Sequence, residues 1–479
     1  MAAMSLRISA QNSNPSTSNL LYRTSLNNYS SRATFPVKTG RKRFDSIRAS
    51  GLNTSTSTAA FDVVVVGAGI IGLTIARQFL QESDLSVAVV DAAVPCSGAT
   101  GAGQGYIWLI HKARGDKWEL AVRSRQLWET FAESIQDEGM NPLDVLGWKK
   151  TGSLLVGKTP ASSIMLKEKV RQLSEAGIKA EFLSSKELLV EEPALVLGKE
   201  GGQPLFLMTI NWMLNVRLRT LRRFLRANRR FATEGRYKEY YYEPVTCLLR
   251  SGSSGEVQAV QTSKNTLYSK KAVVIATGCW TGSLVQGLLR DSDIQVAVPV
   301  QPRKGHLLVL ENLNTFQLNH GLMEVGYVNH QAAKLQSTFS DSGPVNHAET
   351  SSVSMTATTD ASGNLVLGSS RQLVGFSTDI DESIINRIWE RAGEFFPTLR
   401  ELSLSDLSKS REVRIGLRPY MPDGKPVIGP VPRLSNVFVA AGHEGEGLAL
   451  ALGTAETVVD MVLGNPGKVD CSPFALEGR

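Results

Sequence analysis

The chain has 479 residues, enough for two or three domains, and 42% of them are apolar. Its 52 lysines and arginines exceed its 45 aspartates and glutamates, but residues 1–50 hold eight of the basic residues and one acidic residue, which leaves 44 of each. The net charge of +7 therefore does not indicate nucleic-acid binding, and no apolar run reaches the roughly eighteen residues of a membrane span.

Residues 1–50 have the composition of an organelle transit peptide. They are rich in serine, threonine and asparagine, contain Asp45 as their one acidic residue, and lack the long apolar core of a secretory signal. The alanine at position 2 and the sequence Ile47–Ser50 favour a plastid over a mitochondrion. We therefore predict a disordered transit peptide over residues 1–50 and a chloroplast location, with the mitochondrion as the alternative.

A predicted buried strand, Val63–Val66, leads into the glycine-rich sequence G-A-G-I-I-G and then into an apolar segment with helical spacing. A βαβ unit places a phosphate at this point, at the amino end of the helix. Gly67 would allow the tight turn, Gly69 the close approach of a pyrophosphate, and Gly72 the close packing of helix on strand. An ordinary buried turn is the alternative. The predicted contacts in the turn are Gly67, Ala68, Gly69, Ile70, Ile71 and Gly72.

Asp91 strengthens the interpretation of this turn as a dinucleotide site. It follows the next predicted strand, S-V-A-V-V, and lies nineteen residues beyond Gly72. An acidic residue at that distance can accept hydrogen bonds from an adenosine ribose. The flexible, uncharged loop C-S-G-A-T-G-A-G-Q-G-Y-I-W that follows at 96–108 suits close contact with a cofactor.

Two later segments repeat the pattern of a buried strand that ends at a glycine. Lys271–Ala276 runs into a Thr-Gly pair, and Val437–Ala441 runs into the loop Gly442–Gly447 and a predicted helix, Leu448–Leu463. The separation of these strands along the chain requires an insertion within the nucleotide-binding domain. Together the three strand ends predict one crevice assembled from distant segments.

The cysteines and histidines do not form a recognisable metal or disulfide pattern. The four cysteines are scattered without a C-x-x-C pair, and the six histidines show no ligand spacing. We predict reduced thiols and no metal.

These motifs resemble the D-amino-acid oxidase superfamily of flavoproteins, in the branch of glycine oxidase, sarcosine oxidase and D-amino-acid dehydrogenase, over residues 61–465. The supporting sequences are V-V-V-V-G-A-G-I-I-G with Asp91, S-G-A-T-G-A-G-Q-G, V-V-I-A-T-G-C-W, and the stretch 416–456 with its R-P, P-D-G, I-G-P and G-H-x-G-x-G elements. The resemblance implies an α/β fold with a Rossmann-like FAD-binding domain, which contains a parallel sheet, and an interleaved α+β substrate domain. The implied FAD-binding domain comprises 61–140, 243–292 and 405–465, and the substrate domain 145–242 and 293–404.

The resemblance also implies which residues bind FAD and substrate. Arg418, in G-L-R-P, matches the arginine with which family members grip a substrate carboxylate, and a guanidinium can form two parallel hydrogen bonds to such a group. A surface salt bridge is the alternative interpretation of Arg418. The residues implied for FAD are Gly67, Gly69 and Gly72 at the pyrophosphate, Asp91 at the ribose, Ala99, Thr100, Gly103, Gln104, Thr277 and Gly278 along the dinucleotide, Val245 at the adenine, and Gly442, His443, Gly445, Glu446, Gly447 and Leu448 towards the isoalloxazine.

The loop G-H-E-G-E-G departs from some relatives because it lacks a second arginine and a flavin-linking cysteine, so we expect non-covalent FAD. Its Glu444 and Glu446 could attract a cationic substrate group or face solvent, and we favour solvent.

The expected activity is oxidation of the C–N bond of a small amino acid or secondary amine, by hydride transfer to flavin N5 without an acid–base side chain. Oxygen, a quinone or another electron carrier would accept the electrons. The alternatives are a flavoprotein with a structural or assembly role and an NAD(P)-dependent dehydrogenase.

The basic segment 208–226 does not fit the resemblance, because relatives tend to have an acidic turn there. Three interpretations stay open: an amphipathic helix that contacts a membrane or nucleic acid, a divergent solvated helix, or translation from a shifted reading frame. We favour the third, since codons for Met208–Val216 read one base earlier permit the family-like sequence D-D-x-Q-L-D-A-Q-R.

Overall fold

The computed structural model of the protein describes residues 57–109, 114–195, 205–209, 213–214, 228–251, 255–290, 292–311, 313, 317–327, 351–360 and 362–479. The predicted transit peptide lies outside the described residues. So does the basic segment 208–226, apart from residues 208–209 and 213–214, which belong to strands and not to the helix of two of the interpretations above.

Strands and helices follow one another along the described parts of the chain. The strands are β1 (Ser57–Val66), β2 (Val87–Val90), β3 (Trp148–Lys149), β4 (Ser153–Gly157), β5 (Ala180–Leu183), β6 (Leu205–Thr209), β7 (Met213–Leu214), β8 (Tyr237–Tyr240), β9 (Val245–Arg250), β10 (Val257–Thr262), β11 (Asn265–Ile275), β12 (Gln301–Leu310), β13 (Gly321–Glu324), β14 (Ser351–Thr359), β15 (Leu365–Gln372), β16 (Arg411–Tyr420), β17 (Val427–Val431) and β18 (Leu434–Ala441). The α-helices are α1 (Ile70–Glu82), α2 (Ala99–Ala102), α3 (Lys117–Asp137), α4 (Pro142–Leu146), α5 (Pro160–Glu175), α6 (Ser185–Glu191), α7 (Thr281–Leu289), α8 (Glu382–Gly393), α9 (Pro397–Arg400) and α10 (Gly447–Leu463).

The first sheet contains five adjacent parallel strands, in the order β18-β11-β1-β2-β8. Strand β17 pairs antiparallel with β18, and β10 and β9 extend antiparallel from β11. Val66 at the end of β1 lies opposite Val90 of β2 and Ile275 of β11. The carboxyl ends of these strands therefore share one edge of the sheet, where doubly wound folds bind their ligands.

The valine run of β1 is continuous because both faces of the sheet are covered. Val63 and Val65 pack into a cluster that includes residues of α1 and α10, whereas Val64 and Val66 pack into a second cluster on the opposite face. A parallel strand buried on both sides needs apolar residues at every position, and these four valines are at most 4% exposed.

The second sheet has the order β16-β12-β15-β14-β13-β4-β6-β5 and is antiparallel apart from the β13–β4 pair. Helix α8 covers part of it, because Ile384, Ile385 and Ile388 share a buried cluster with Leu308 of β12 and Leu367 of β15. The predicted combination of a parallel α/β sheet with an α+β layer is thus observed.

Two strands lie in a different sheet from the one that the predicted segment boundaries assign. Strand β8 falls in the predicted substrate segment 145–242 but pairs with β2 at the edge of the first sheet. Strand β16 falls in the predicted FAD-binding segment 405–465 but pairs with β12 over ten residues in the second sheet. Both are edge strands with mixed polar and apolar residues, so neither has the apolar run that marks a central strand.

Candidate functional site

A cavity of about 580 Å³ opens at the carboxyl ends of the first sheet's parallel strands. Its wall also includes the loop after β2 and residues from β12, β14, β15 and β16 of the second sheet. The distant glycine-terminated strands therefore converge on a single cavity, as the sequence pattern predicts. The predicted site residues that line it are Gly67, Gly69, Ile70, Ile71, Asp91, Ala99, Thr100, Gly103, Gln104, Val245, Thr277, Gly278, Arg418, His443, Gly445, Gly447 and Leu448.

Four of the predicted FAD contacts are not among the residues that line this cavity. The amide of Ala68 donates to Asp91 Oδ2 at 2.7 Å, and the carboxylate of Glu446 accepts from Lys117 Nζ at 2.8 Å. The Glu446 side chain is 7% exposed, so the expectation that it faces solvent is wrong. The four predicted contacts that do not line the cavity are Ala68, Gly72, Gly442 and Glu446.

The glycines of the first turn are required by close contacts between backbone segments. Gly67 has a φ of +111°, and a side chain on it would clash with the carbonyl group of Ala276 at the end of β11. A side chain on Gly72 would clash with the carbonyl oxygen of Gly67. The turn can therefore hold β1, β11 and α1 together only when both positions lack a Cβ atom.

Gly69 is different, because the protein leaves the space beside it open to a ligand. A Cβ atom at Gly69 would lie 3.4 Å from Thr100 Oγ1, which is an ordinary contact. Gly69 caps α1 without a side-chain hydrogen bond, and the first turn of the helix contains no acidic residue. Its amino end therefore offers backbone N–H groups and the positive pole of the helix dipole to an anion in the cavity.

Asp91 is fixed at the end of β2 by two backbone amides. Its Oδ2 accepts from Ala68 and its Oδ1 from Ala93, each at 2.7 Å. Both oxygens keep a lone pair for a further donor, such as the ribose hydroxyls expected at this position.

A second helix, α10, also directs its amino end at the cavity. Glu446 occupies its N-cap position without a capping hydrogen bond from its side chain. The neighbouring His443 is 2% exposed and its Nε2 lies 3.0 Å from Thr454 Oγ1. Burial, opposed by Glu446 and reinforced by Lys117, lowers the pKa of His443 to about 3, so the imidazole is neutral. The positive potential at this end of the cavity therefore comes from the helix and not from a charged histidine.

Arg418 reaches the cavity from β16 by crossing the neighbouring strand β12. Its guanidinium lies against the backbone of Gly305, where any side chain would clash with it, and its Nη1 donates to the carbonyl oxygen of Ser370 at 2.8 Å. Burial lowers the pKa of Arg418, and the nearby Glu444 and Tyr327 oppose this shift. No carboxylate of the described residues lies within 4 Å of the guanidinium. Arg418 is thus a cavity residue, and its alternative interpretation as a surface salt bridge is wrong.

Glu444 lines the same part of the cavity and forms an ion pair with Arg303. Its side chain is 14% exposed, so the expectation that it faces solvent is also wrong. Burial raises the pKa of this carboxyl, but Arg303, Arg418 and Arg371 together outweigh burial and bring the pKa to about 2. Glu444 is therefore ionised at neutral pH and held by cations of the protein itself.

Three further residues of this region were not predicted from the sequence. Tyr327 and Ser369 line the cavity, and the Arg371 guanidinium lies 4.1 Å from the centroid of the Tyr327 ring. Arg371 is 6% exposed, and the sequence signal that could have identified it is a lone arginine that follows the strand-like run L-V-L-G-S-S. A buried arginine in an apolar strand requires an anion or another partner.

The sequence model of one protein family, DAO, FAD dependent oxidoreductase, matches residues 62–461. The chain belongs to this family. Glycine oxidase of Pseudomonas aeruginosa is 26% identical over 424 residues, which cover 87% of this chain and 99% of that protein. FAD is accordingly the cofactor, and the protein is an FAD-dependent enzyme that acts on amino acids or amines. The family assignment replaces the alternative of an NAD(P)-dependent dehydrogenase.

Solved structures share the fold. The crystal structure of glycine oxidase from Geobacillus kaustophilus matches with a TM-score of 0.67 and 20% identity, and covers 88% of this chain and 99% of its own. Iminodiacetate oxidase from Chelativorans sp. BNC1 matches with a TM-score of 0.66 and 17% identity, over 86% of this chain and 98% of its own.

The described residues fit an FAD molecule. Gly69 and the amino end of α1 suit the pyrophosphate, Asp91 the ribose, and the amino end of α10 an electron-rich group at the far end of the cavity. None of the helices that the structure describes has the length and apolar character needed to cross a bilayer. Within the same residues, no three His, Cys, Asp or Glu side chains cluster as a metal site would require.

Proposed function

We propose that this enzyme oxidises the C–N bond of a small amino acid or secondary amine that carries a carboxylate, and that Arg418 holds the carboxylate. The position of the Arg418 guanidinium supports this most directly. It lies at the cavity wall beside Gly445 and is fixed by Ser370, yet it forms no ion pair within 4 Å with any carboxylate of the described residues. Such a guanidinium offers two parallel donors in a fixed plane, the geometry that a carboxylate accepts.

Bound FAD, held by Asp91 and by the amino ends of α1 and α10, would supply the two-electron acceptor for the hydride that leaves the carbon beside nitrogen. The nitrogen lone pair would complete a C=N bond, and the iminium would lose its proton to water to give the imine. Arg418 contributes by orienting the substrate so that this C–H bond faces the cofactor. An amine that arrives neutral needs no side chain as base. The released imine reacts with water to give a carbonyl compound and ammonia or an amine.

The electron acceptor that reoxidises the enzyme is proposed to be oxygen, a quinone or another carrier. The chloroplast is the proposed location, with the mitochondrion as the alternative, on the basis of the acid-poor composition of residues 1–50. Non-covalent attachment of FAD is likewise proposed, because the loop 442–447 contains no cysteine.

A screen for flavin reduction tests the proposal without knowledge of the electron acceptor. The FAD-loaded protein is mixed under anaerobic conditions with L- and D-amino acids and with N-methyl amines, and the flavin absorbance is followed. We expect bleaching by amines that carry a carboxylate and none by the corresponding amines without one. If no carboxylate-bearing amine bleaches the flavin, the proposal is wrong and a structural role for the flavoprotein is favoured instead.

A further inference from the structure

The residues in and behind the cavity wall beside Arg418 carry more positive than negative charge. Arg303, Arg371 and Arg418 influence one another and Glu444 electrostatically, and Glu444 is the one described carboxylate that pairs with any of the three arginines. The cluster therefore has an excess of two positive charges. Arg303 and Arg371 are each 6% exposed, so solvent does little to screen this excess.

Polar groups of the same region lack hydrogen-bond partners among the residues that the structure describes. Ser369 is 3% exposed and lines the cavity, and its hydroxyl has no partner. The Nη2 of Arg371 has none either, while its Nη1 lies 3.4 Å from Ser354 Oγ. Buried donors of this kind are costly unless a ligand satisfies them.

Tyr327 connects these groups to Arg418. One face of its ring stacks against the Arg371 guanidinium at 4.1 Å. A methyl group placed on Gly445 would lie 3.8 Å from the Tyr327 hydroxyl and 3.7 Å from Arg418 Cδ, so the hydroxyl and Arg418 flank the same point. Arg371 itself does not line the cavity, but its contact with Tyr327, which does, places the guanidinium behind the region that a substrate on Arg418 would occupy.

We propose that Arg371, Ser369 and Tyr327 form a second anion subsite, and that the substrate is an amine with two carboxylates, one held by Arg418 and the other by this subsite. The inference rests on the proposed function for the amine and adds the substrate class. One carboxylate on Arg418 would leave a positive charge and buried donors unsatisfied, whereas two carboxylates balance the cluster. The same excess charge disfavours substrates with a cationic side chain, although Glu444 lines the cavity.

Binding of unreactive acids to the FAD-loaded protein tests the subsite directly. Succinate and glutarate are compared with propionate and butyrate by calorimetry and by the change in the flavin spectrum. We expect the dicarboxylates to bind at least about tenfold more tightly, and Arg371→Gln to abolish this difference between the two classes of acid. Arg371→Lys, which keeps the charge, should restore part of it. The matched control is Arg387→Gln, an exposed arginine that also donates to a serine, Ser351.

Equal affinity of the wild type for both classes of acid would overturn the subsite, and this comparison requires no variant to fold. An equal loss in Arg387→Gln would also overturn it.

Oxidation of matched amines separates the subsite from the proposed function. Iminodiacetate differs from sarcosine, and aspartate from alanine, by one added carboxylate. We expect the dicarboxylates to give the higher kcat/KM for anaerobic flavin reduction, because their KM is lower than that of the monocarboxylates. In Arg371→Gln this difference in KM should disappear. A higher kcat/KM for sarcosine and alanine would overturn the subsite but leave the proposed function standing. Failure of every amine would overturn the proposed function, while the binding comparison still decides the subsite.

Discussion

Arg418 Nη1 donates to the carbonyl oxygen of Ser370 at 2.8 Å, although their strands, β16 and β15, are separated by β12. The side chain can cross β12 because the residue beneath the guanidinium is Gly305. The hydroxyl of Ser370 lies 3.0 Å from Nδ1 of the buried His306, which extends the contact into the sheet. A glycine and a carbonyl on two other strands thus determine where the proposed substrate-binding arginine lies.

Gly305→Ala should displace Arg418 without affecting the FAD end of the cavity. The added methyl group would occupy the position of the guanidinium, so we expect KM for carboxylate-bearing amines to rise at least about tenfold and FAD affinity to stay unchanged. Steady-state kinetics and FAD titration measure the two effects. Gly287→Ala, where the methyl group meets no atom within 4 Å, serves as the control. An unchanged KM in Gly305→Ala would contradict the crossing geometry.

Gly69→Ala should weaken FAD binding, whereas Gly72→Ala should disturb the packing inside the protein. A methyl group at Gly72 clashes with the Gly67 carbonyl and should destabilise the fold by about 1–3 kcal/mol. A methyl group at Gly69 meets Thr100 Oγ1 at 3.4 Å, so the stability of the apoprotein should change by less than about 0.5 kcal/mol while FAD affinity falls about tenfold or more. Urea unfolding and FAD titration distinguish them, and wild-type FAD affinity in Gly69→Ala would be the contrary result.

The nucleotide-binding half of the fold could be predicted because its signals are local. The valines of β1, the G-A-G-I-I-G turn and Asp91 lie within about thirty residues of one another, and each pattern has one common structural meaning. The convergence of β11 and β18 on the same edge followed from their similar glycine-terminated ends. The strand bounds agree as well, since predicted Val437–Ala441 lies within β18.

The charged cluster could not be predicted, because its contacts join residues that are far apart in the chain. Arg303 and Glu444 are separated by 141 positions, and nothing in either local sequence indicates the other as its partner. Glu446 shows the same difficulty, since its partner Lys117 lies 329 positions earlier. A glutamate in a glycine loop usually faces water, and only the tertiary structure shows that Glu446 is buried, that Glu444 is largely buried, and that both are paired.

Glu444→Gln should destabilise the folded protein by about 3 kcal/mol, because it leaves the buried Arg303 guanidinium without its carboxylate. Chemical unfolding at pH 7 measures this loss. The exposed pair of Glu175 with Arg171 provides the comparison, and Glu175→Gln should have almost no effect. A stability of Glu444→Gln equal to that of the wild type would show that the pair contributes nothing.

Acidification should destabilise the protein below about pH 6.5 through two buried histidines of the described residues, His306 and His443. Burial lowers the pKa of His306 from 6.5 to about 4 and that of His443 from 6.5 to about 3. The unfolded chain therefore takes up protons first, and the stability present above pH 6.5 is lost progressively as the pH falls towards 4. The slope is about 1.4 kcal/mol per pH unit for each histidine. Urea unfolding between pH 7 and 5 should show this fall in the free energy of unfolding, and the slope in His306→Asn should be about half that of the wild type. A free energy of unfolding that does not change with pH in this range would contradict the burial of neutral histidines.

The rate of anaerobic flavin reduction in Arg418→Ala tests the central claim most directly. The substrate is the best carboxylate-bearing amine found for the wild type, and Arg418→Lys and Arg387→Ala are measured beside it. We predict normal FAD content, a loss of kcat/KM of about a hundredfold or more in Arg418→Ala, partial recovery in Arg418→Lys, and wild-type behaviour in Arg387→Ala. Reduction of the Arg418→Ala flavin at the wild-type rate would contradict the assignment of this arginine as the carboxylate-binding group.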